Sequence, residues 1–338
     1  MYVTPRPDAV EDPLYGIRLG LTGALAYAAI PIIDPLLPPI IAALPVGLIA
    51  AQRRTLDLGK LIGGALAMMI LPWIMTWLVV QMRPMPLVYV LVMWWFYFIG
   101  FRMILVSGAQ AGMLIVIVAV LISVMGMHGT AIVETLRNGF MQAALVTLVV
   151  GPIVYLLAPP RTRERHVDTP TPGHGNATLG AAIRATVLIG LSFWLYAVMQ
   201  PSDMMMAVVA AMVLVFPSRK QVFSEAMQRI RATVYGGAVA MLILMLFLFS
   251  QHLLVLLGLI FLGGLWFGQK MLFGPRQSMV YQYGFSVTLA LVAGALSTQD
   301  AAYATMTRIV LTLAGALTAA LSVALLDQMT GWRSQVAG

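Results

Sequence analysis

Apolar stretches of about twenty residues, separated by short polar breaks, recur along the chain from Tyr15 to Leu326. Each is near the length at which a helix crosses the ~30 Å hydrocarbon core of a bilayer. In lipid every backbone N–H and C=O must be satisfied within the chain, so this pattern specifies spanning helices. The composition agrees: 61% of the 338 residues are hydrophobic and 9% are charged. A soluble domain carries about 25% charged residues, which it needs to cover its surface. The fold class expected is an all-α polytopic membrane protein.

About twelve spans are expected, at 15–33, 36–51, 61–80, 86–101, 104–125 and 139–157, then at 179–199, 203–217, 232–250, 252–268, 281–297 and 306–326. An even number of spans places both termini on one side. Of the 20 Lys and Arg residues, only Arg83, Arg137 and Arg308 then fall on the opposite side. That bias puts both termini in the cytoplasm. The net charge of +8 is thereby topological, and no nucleic acid partner is expected. No basic-then-apolar leader pattern opens the chain, so the first span is expected to remain in the protein.

The two halves match in order. Ile17-Arg18 answers Ile183-Arg184, and Pro35 answers Pro201. Gly63–Ile70 answers Gly236–Ile243, differing only at Leu66/Val239 and Met69/Leu242. Gly100-Phe101-Arg102-Met103 answers Gly268-Gln269-Lys270-Met271, Gln110-Ala111-Gly112 answers Gln282-Tyr283-Gly284, and Arg137 answers Arg308. Six spans per half give both halves the same orientation, a parallel repeat about an axis near the membrane normal. Residues 1–158 form the first six-helix repeat, 159–178 a cytoplasmic linker and 179–338 the second repeat.

The chemistry expected is transport, not catalysis. No G-x-x-x-x-G-K-[ST] phosphate loop is present. There is no cysteine, hence no thiolate metal site or cluster. His128, His166, His174 and His252 are scattered without ligand spacing, so neither a metal nor a cofactor is expected. No paired carboxylates or nucleophilic constellation marks an enzyme.

Four repeat-related cations stand out as substrate contacts: Arg102 and Lys270 between the fourth and fifth spans of each half, and Arg137 and Arg308 leading into the sixth. Ionisable groups at hydrocarbon depth usually face a cavity or a partner. Pairing of Arg137 with Glu134, or snorkelling to the interface, is the structural alternative. Gln110 and Gln282 sit in apolar spans, where an amide bonds across helices or meets substrate. Trp95 and Trp266 belong either to an interfacial aromatic belt or to a surface that holds a ring. Asp34, Asp203 and Glu134 are the acids placed to carry a coupled proton, since such a carrier needs a carboxylate whose affinity for protons rises in a dry site.

The second and eighth spans are short, and the second carries Pro38, Pro39 and Pro45. Short or proline-broken segments in matching positions point to a transporter's binding site. Asp34-Pro35 and Ser202-Asp203 read as N-caps at those ends. The G-x-x-x-G pairs Gly16/Gly20, Gly59/Gly63, Gly108/Gly112 and Gly264/Gly268 permit close helix contact. The mixed basic and apolar stretch Arg219–Arg231 is expected to lie along the interface before the ninth span.

At Arg229-Ile-Arg231-Ala-Thr233-Val-Tyr-Gly236-Gly237, and more weakly at Lys60-Leu-Ile-Gly63-Gly64, the sequence resembles the fusaric-acid-resistance family. That family carries an Arg-x-x-x-Thr-x-x-Gly pattern entering the third span of each half. The resemblance implies export of small organic or aromatic acids across a bacterial inner membrane, often with a periplasmic adaptor of the membrane-fusion type. The chain differs from the larger exporters of that family in showing only a linker and the tail Asp327–Gly338 outside the spans. A secondary exporter of carboxylate anions is therefore expected. A passive anion channel and a non-conducting scaffold for a partner complex remain the alternatives.

Overall fold

The computed structural model describes residues 6–52, 54–107, 110–162, 164, 176–198, 219–297, 314, 317–318 and 321–330. Among these the regular structure is entirely helical. The helices are α1 (Tyr15–Ala28), α2 (Ile30–Ile33), α3 (Pro38–Ala51), α4 (Leu58–Met82), α5 (Pro86–Ser107), α6 (Gln110–His128), α7 (Thr130–Leu157), α8 (Ala177–Val198), α9 (Arg219–Phe247), α10 (Leu253–Phe273) and α11 (Ser278–Ser297). Among the described residues, nine helices are long and apolar enough to cross a membrane, α1 and α2 counting together as Tyr15–Ile33. The expected eighth span, most of the twelfth, Asp203, Arg308 and most of the linker lie outside the described residues.

Several boundaries differ from the sequence expectation, most by lengthening a helix, while α3 and α6 begin later than expected, at Pro38 and Gln110. Lipid rewards continued backbone hydrogen bonding, so a polar residue near a span end stays helical rather than opening a loop. Arg102 therefore lies within α5, and Lys270 in the last turn of α10. Arg137 and Glu134 lie inside α7, which begins at Thr130. The stretch Arg219–Arg231 is continuous with the span that follows it, in the single helix α9, rather than a separate interfacial segment.

Helix α3 is central. It packs against α1, α7 and α11, and Ile41, Ala42 and Val46 are fully buried. Its prolines are tolerated because two stand at the first helical positions, where their missing N–H is not needed, and only Pro45 is interior. Around α3, α1 packs on α10, α5 packs on α6 and α8, α4 packs on α7, and α9 packs on α11.

Small residues decide the closest crossings. A Cβ on Gly20 would stand 2.7 Å from the carbonyl of Phe261, one on Gly264 would stand 2.6 Å from the Cα of Gly20, and one on Gly268 would meet the Cα of Gly16. The G-x-x-x-G pairs of α1 and α10 thus lie face to face, which brings the two backbones together. Gly63 has open space where a Cβ would go, so the Gly59/Gly63 pair makes no such crossing. Where α5 meets α6 and α8, the Tyr97 hydroxyl lies 2.6 Å from Ser123 Oγ and 3.2 Å from Ser192 Oγ. That polar node ties three helices within apolar surroundings.

Candidate functional site: a buried arginine at the end of α3

The first turn of α1 carries Arg18, which is 2% exposed. A bare guanidinium cannot be buried without partners, and each of its edges is answered. Both carboxylate oxygens of Asp12, itself fully buried, accept from its two terminal nitrogens. The carbonyl of Ala158, just past α7, accepts from Nη1 at 3.2 Å. The guanidinium carbon stands 4.4 Å from the Tyr155 ring centre and 5.5 Å from that of Tyr15, within cation–π range.

Both tyrosines are held by the end of α3. The Tyr15 hydroxyl donates to the carbonyl of Ala50 at 3.1 Å, and the Tyr155 hydroxyl donates to that of Gln52. These carbonyls belong to the last turn of a helix, where no intrahelical N–H reaches them. Tyr15, Arg18, Leu19, Thr22, Ile49 and Ala50 line a gap between α1 and α3 too small to hold a water molecule. Burial pushes the Asp12 carboxyl above the usual carboxylate range, and Arg18 draws it back. The charge on Asp12 therefore depends on Arg18.

Asp12 belongs to a short segment that crosses the end of the bundle. Arg6 donates to the carbonyls of Gly274 (2.6 Å) and Arg276 (2.7 Å), beyond the end of α10. Glu11 pairs with Arg54 at 2.8 Å, and Arg54 also pairs with Glu164 at 3.0 Å. The backbone N–H groups of Arg161 and Thr162 donate to the Glu11 carbonyl.

Arg184, the sequence counterpart of Arg18, is likewise fully buried in the first half of α8. Its acid comes from elsewhere: Asp327, at the end of the helical residues 321–329, lies 3.9 Å away. Sequence reasoning read Arg18 and Arg184 as topological charges and so missed them. Their matched positions one to two turns inside two apolar spans were the available signal.

The residues singled out from sequence are dispersed. Arg102, Lys270, Glu134 and Asp34 are exposed. Arg137 is half-buried and donates to the side chain of its neighbour Asn138 at 3.3 Å, rather than pairing with Glu134. Trp95 is 55% and Trp266 40% exposed; Trp95 lies against Phe98, and Lys270 lies 5.9 Å from the Trp266 ring. Gln282 is buried, with its amide 3.5 Å from the carbonyl of Gly47, so it bridges α11 to α3. Gln110 opens α6. Asp34 does not cap α3: it ends α2 in a left-handed conformation (φ 48°), and α3 begins after Leu37 without a side-chain cap. With Pro38 and Pro39 leading α3, that end offers few free N–H groups to an anion.

The Arg-x-x-x-Thr-x-x-Gly pattern forms a seam between α9 and α11. The Arg229 guanidinium carbon lies 3.2 Å from the Tyr283 ring centre, and the Thr233 hydroxyl donates to the Arg229 carbonyl at 2.9 Å. A Cβ on Gly236 would stand 2.5 Å from the Gly284 carbonyl. Its role here is close helix contact.

Helices of this length and apolarity define a multi-pass helical membrane protein. The family model described as fusaric acid resistance protein-like matches residues 191–322. The match covers the seam at Arg229, Thr233 and Gly236 and supports the resemblance those residues carry. Together the match and the helices mark a transporter-like membrane protein. No curated protein and no solved structure matches the chain.

Proposed function

We propose that the protein is a secondary exporter of small organic carboxylates, aromatic acids among them, across the inner membrane. The observation that carries this reading is Arg18, a fully buried cation in an apolar bundle that lies near two tyrosine rings and already pairs with a carboxylate. A planar guanidinium recognises carboxylate with two parallel hydrogen bonds, and ring faces beside it suit an aromatic acid.

The reading includes the parallel repeat. Reciprocal contacts support it: the first span of one half packs on the fourth of the other, as α1 on α10 and α8 on α5. With the termini cytoplasmic, Arg18 stands at the inner mouth. Arg137 lies twenty residues up α7 from Leu157, about 30 Å away along the axis, so an anion leaving Arg18 would meet Arg137 at the outer end. Asp34 and Glu134 share that outer end, where both are exposed, and would couple a proton only in a conformation that buries them. A periplasmic adaptor fits the family's habit.

The test is flux of aromatic and aliphatic monocarboxylates in proteoliposomes, with Arg18→Gln and Arg18→Lys beside the parent protein. Flux should fall at least tenfold in Arg18→Gln and less in Arg18→Lys, which keeps charge but loses the fork. Equal flux in all three sinks the reading. Collapsing the pH gradient at fixed voltage should stop uphill flux by a coupled carrier and spare a channel.

A further inference from the structure

We infer that Asp12 is a tethered carboxylate occupying the anion site at Arg18, and that the segment from Arg6 to Leu14 is the gate an incoming carboxylate displaces. This rests on the reading of Arg18 as a carboxylate site.

The geometry is that of a bound ligand. Asp12 meets Arg18 with both oxygens, edge to edge, the arrangement a free carboxylate would adopt. The rest of the site does not depend on Asp12: Ala158 and the Tyr155 ring hold the guanidinium from other directions, and the tyrosines are anchored to α3. Replacing one carboxylate by another leaves the buried cation neutralised throughout, so exchange avoids the cost of an unpaired buried charge.

The segment is built to leave. Asp12 lies outside any helix, and apart from its pair with Arg18 its segment is held by part-buried and exposed contacts: the Arg6 bonds beyond α10, the backbone bonds to the Glu11 carbonyl and the Glu11–Arg54 pair, in which both side chains are about one-third exposed. Exposed pairs of this kind contribute little individually. The matched site offers a contrast. Arg184 draws its acid from Asp327, on a helix, so the cation recurs in both halves while the source of the acid does not. The first pair is an exchangeable lid and the second a fixed structural bond. A short tether also sets a threshold: free acid competes only when it rivals an effective concentration in the millimolar range.

The chain has no cysteine, so an introduced pair reports docking directly. The Thr162 N–H donates to the Glu11 carbonyl, and the variant Glu11→Cys/Thr162→Cys should cross-link readily when the segment is docked. In the full-length protein, saturating benzoate should slow cross-linking at least threefold, and the neutral probe benzamide should not. This measurement uses the native Asp12 and survives any folding defect at that position. Asp12→Asn should lower the half-saturating benzoate concentration for flux about tenfold, while Asp12→Glu should stay near the parent value. Benzoate flux with an unaltered cross-linking rate would overturn the gate while leaving the transport reading intact. Benzoate-sensitive cross-linking without flux in any variant would support the gate and overturn transport. Indifference of both measurements to benzoate would overturn both.

Discussion

The hydroxyl of Thr288 on α11 donates to the main-chain carbonyl of Gly236 on α9 at 3.0 Å, while also bonding the Gly284 carbonyl of its own helix at 3.0 Å. The two backbones come this near at Gly236, where a Cβ would stand 2.5 Å from the Gly284 carbonyl. Gly236 is thus a contact residue at a helix crossing, and Thr288 is the polar bond across it.

Gly236→Ala should destabilise the protein by about 1–3 kcal/mol, because its Cβ would force α9 away from Gly284 and Val287. The matched Gly63→Ala should cost nothing, since open space lies where its Cβ would go. Thermal unfolding of the two variants in one detergent checks the contrast; equal losses would contradict the seam.

Asp327→Asn should cost about 3–5 kcal/mol, because it strips Arg184 of its buried counter-charge. The double variant Arg184→Met/Asp327→Leu should recover most of that loss, as buried ion pairs replaced by apolar residues of similar volume commonly do. Denaturant titration of the three proteins measures it.

Tyr155→Phe removes the bond to the Gln52 carbonyl and leaves that acceptor short of a partner, at about 1–3 kcal/mol. The ring stays, so cation–π contact with Arg18 is kept. Carboxylate flux should fall by less than in Arg18→Gln, and the ratio between the variants checks the assignment.

Tyr97→Phe should be milder, about 1 kcal/mol. Its partners Ser123 and Ser192 each already bond a carbonyl of their own helix, at 3.1 and 2.8 Å, so neither hydroxyl is orphaned. A melting shift as large as that of Asp327→Asn would contradict this.

Among the described residues, the apolar windows read from sequence correspond to helices, and the differences fall at their ends. Arg102 and Glu134 looked like loop residues because charge is rare in spans, yet a helix end continues through them. The candidate site was legible only in outline. The short proline-bearing α3 was expected to matter at its N-terminal end, whereas Arg18 lies by its C-terminal end, and the matched Ile17-Arg18 and Ile183-Arg184 carry the buried cations. Which cation was buried could not be read, because Arg18 and Lys270 look equally basic in a sequence.

The sequence by itself determined the class of protein, because the length of an apolar run measured against a bilayer is a local property. It also offered glycine pairs at which helices can touch; which of them meet, Gly16/Gly20 with Gly264/Gly268 and not Gly59/Gly63, was decided by the fold. The tertiary structure alone decided the site. Arg18 meets Asp12 from a preceding turn, Ala158 and Tyr155 from the end of α7, and Tyr15 anchored on α3. A buried charge is stable only where such distant groups converge on it, and convergence is a property of the folded bundle.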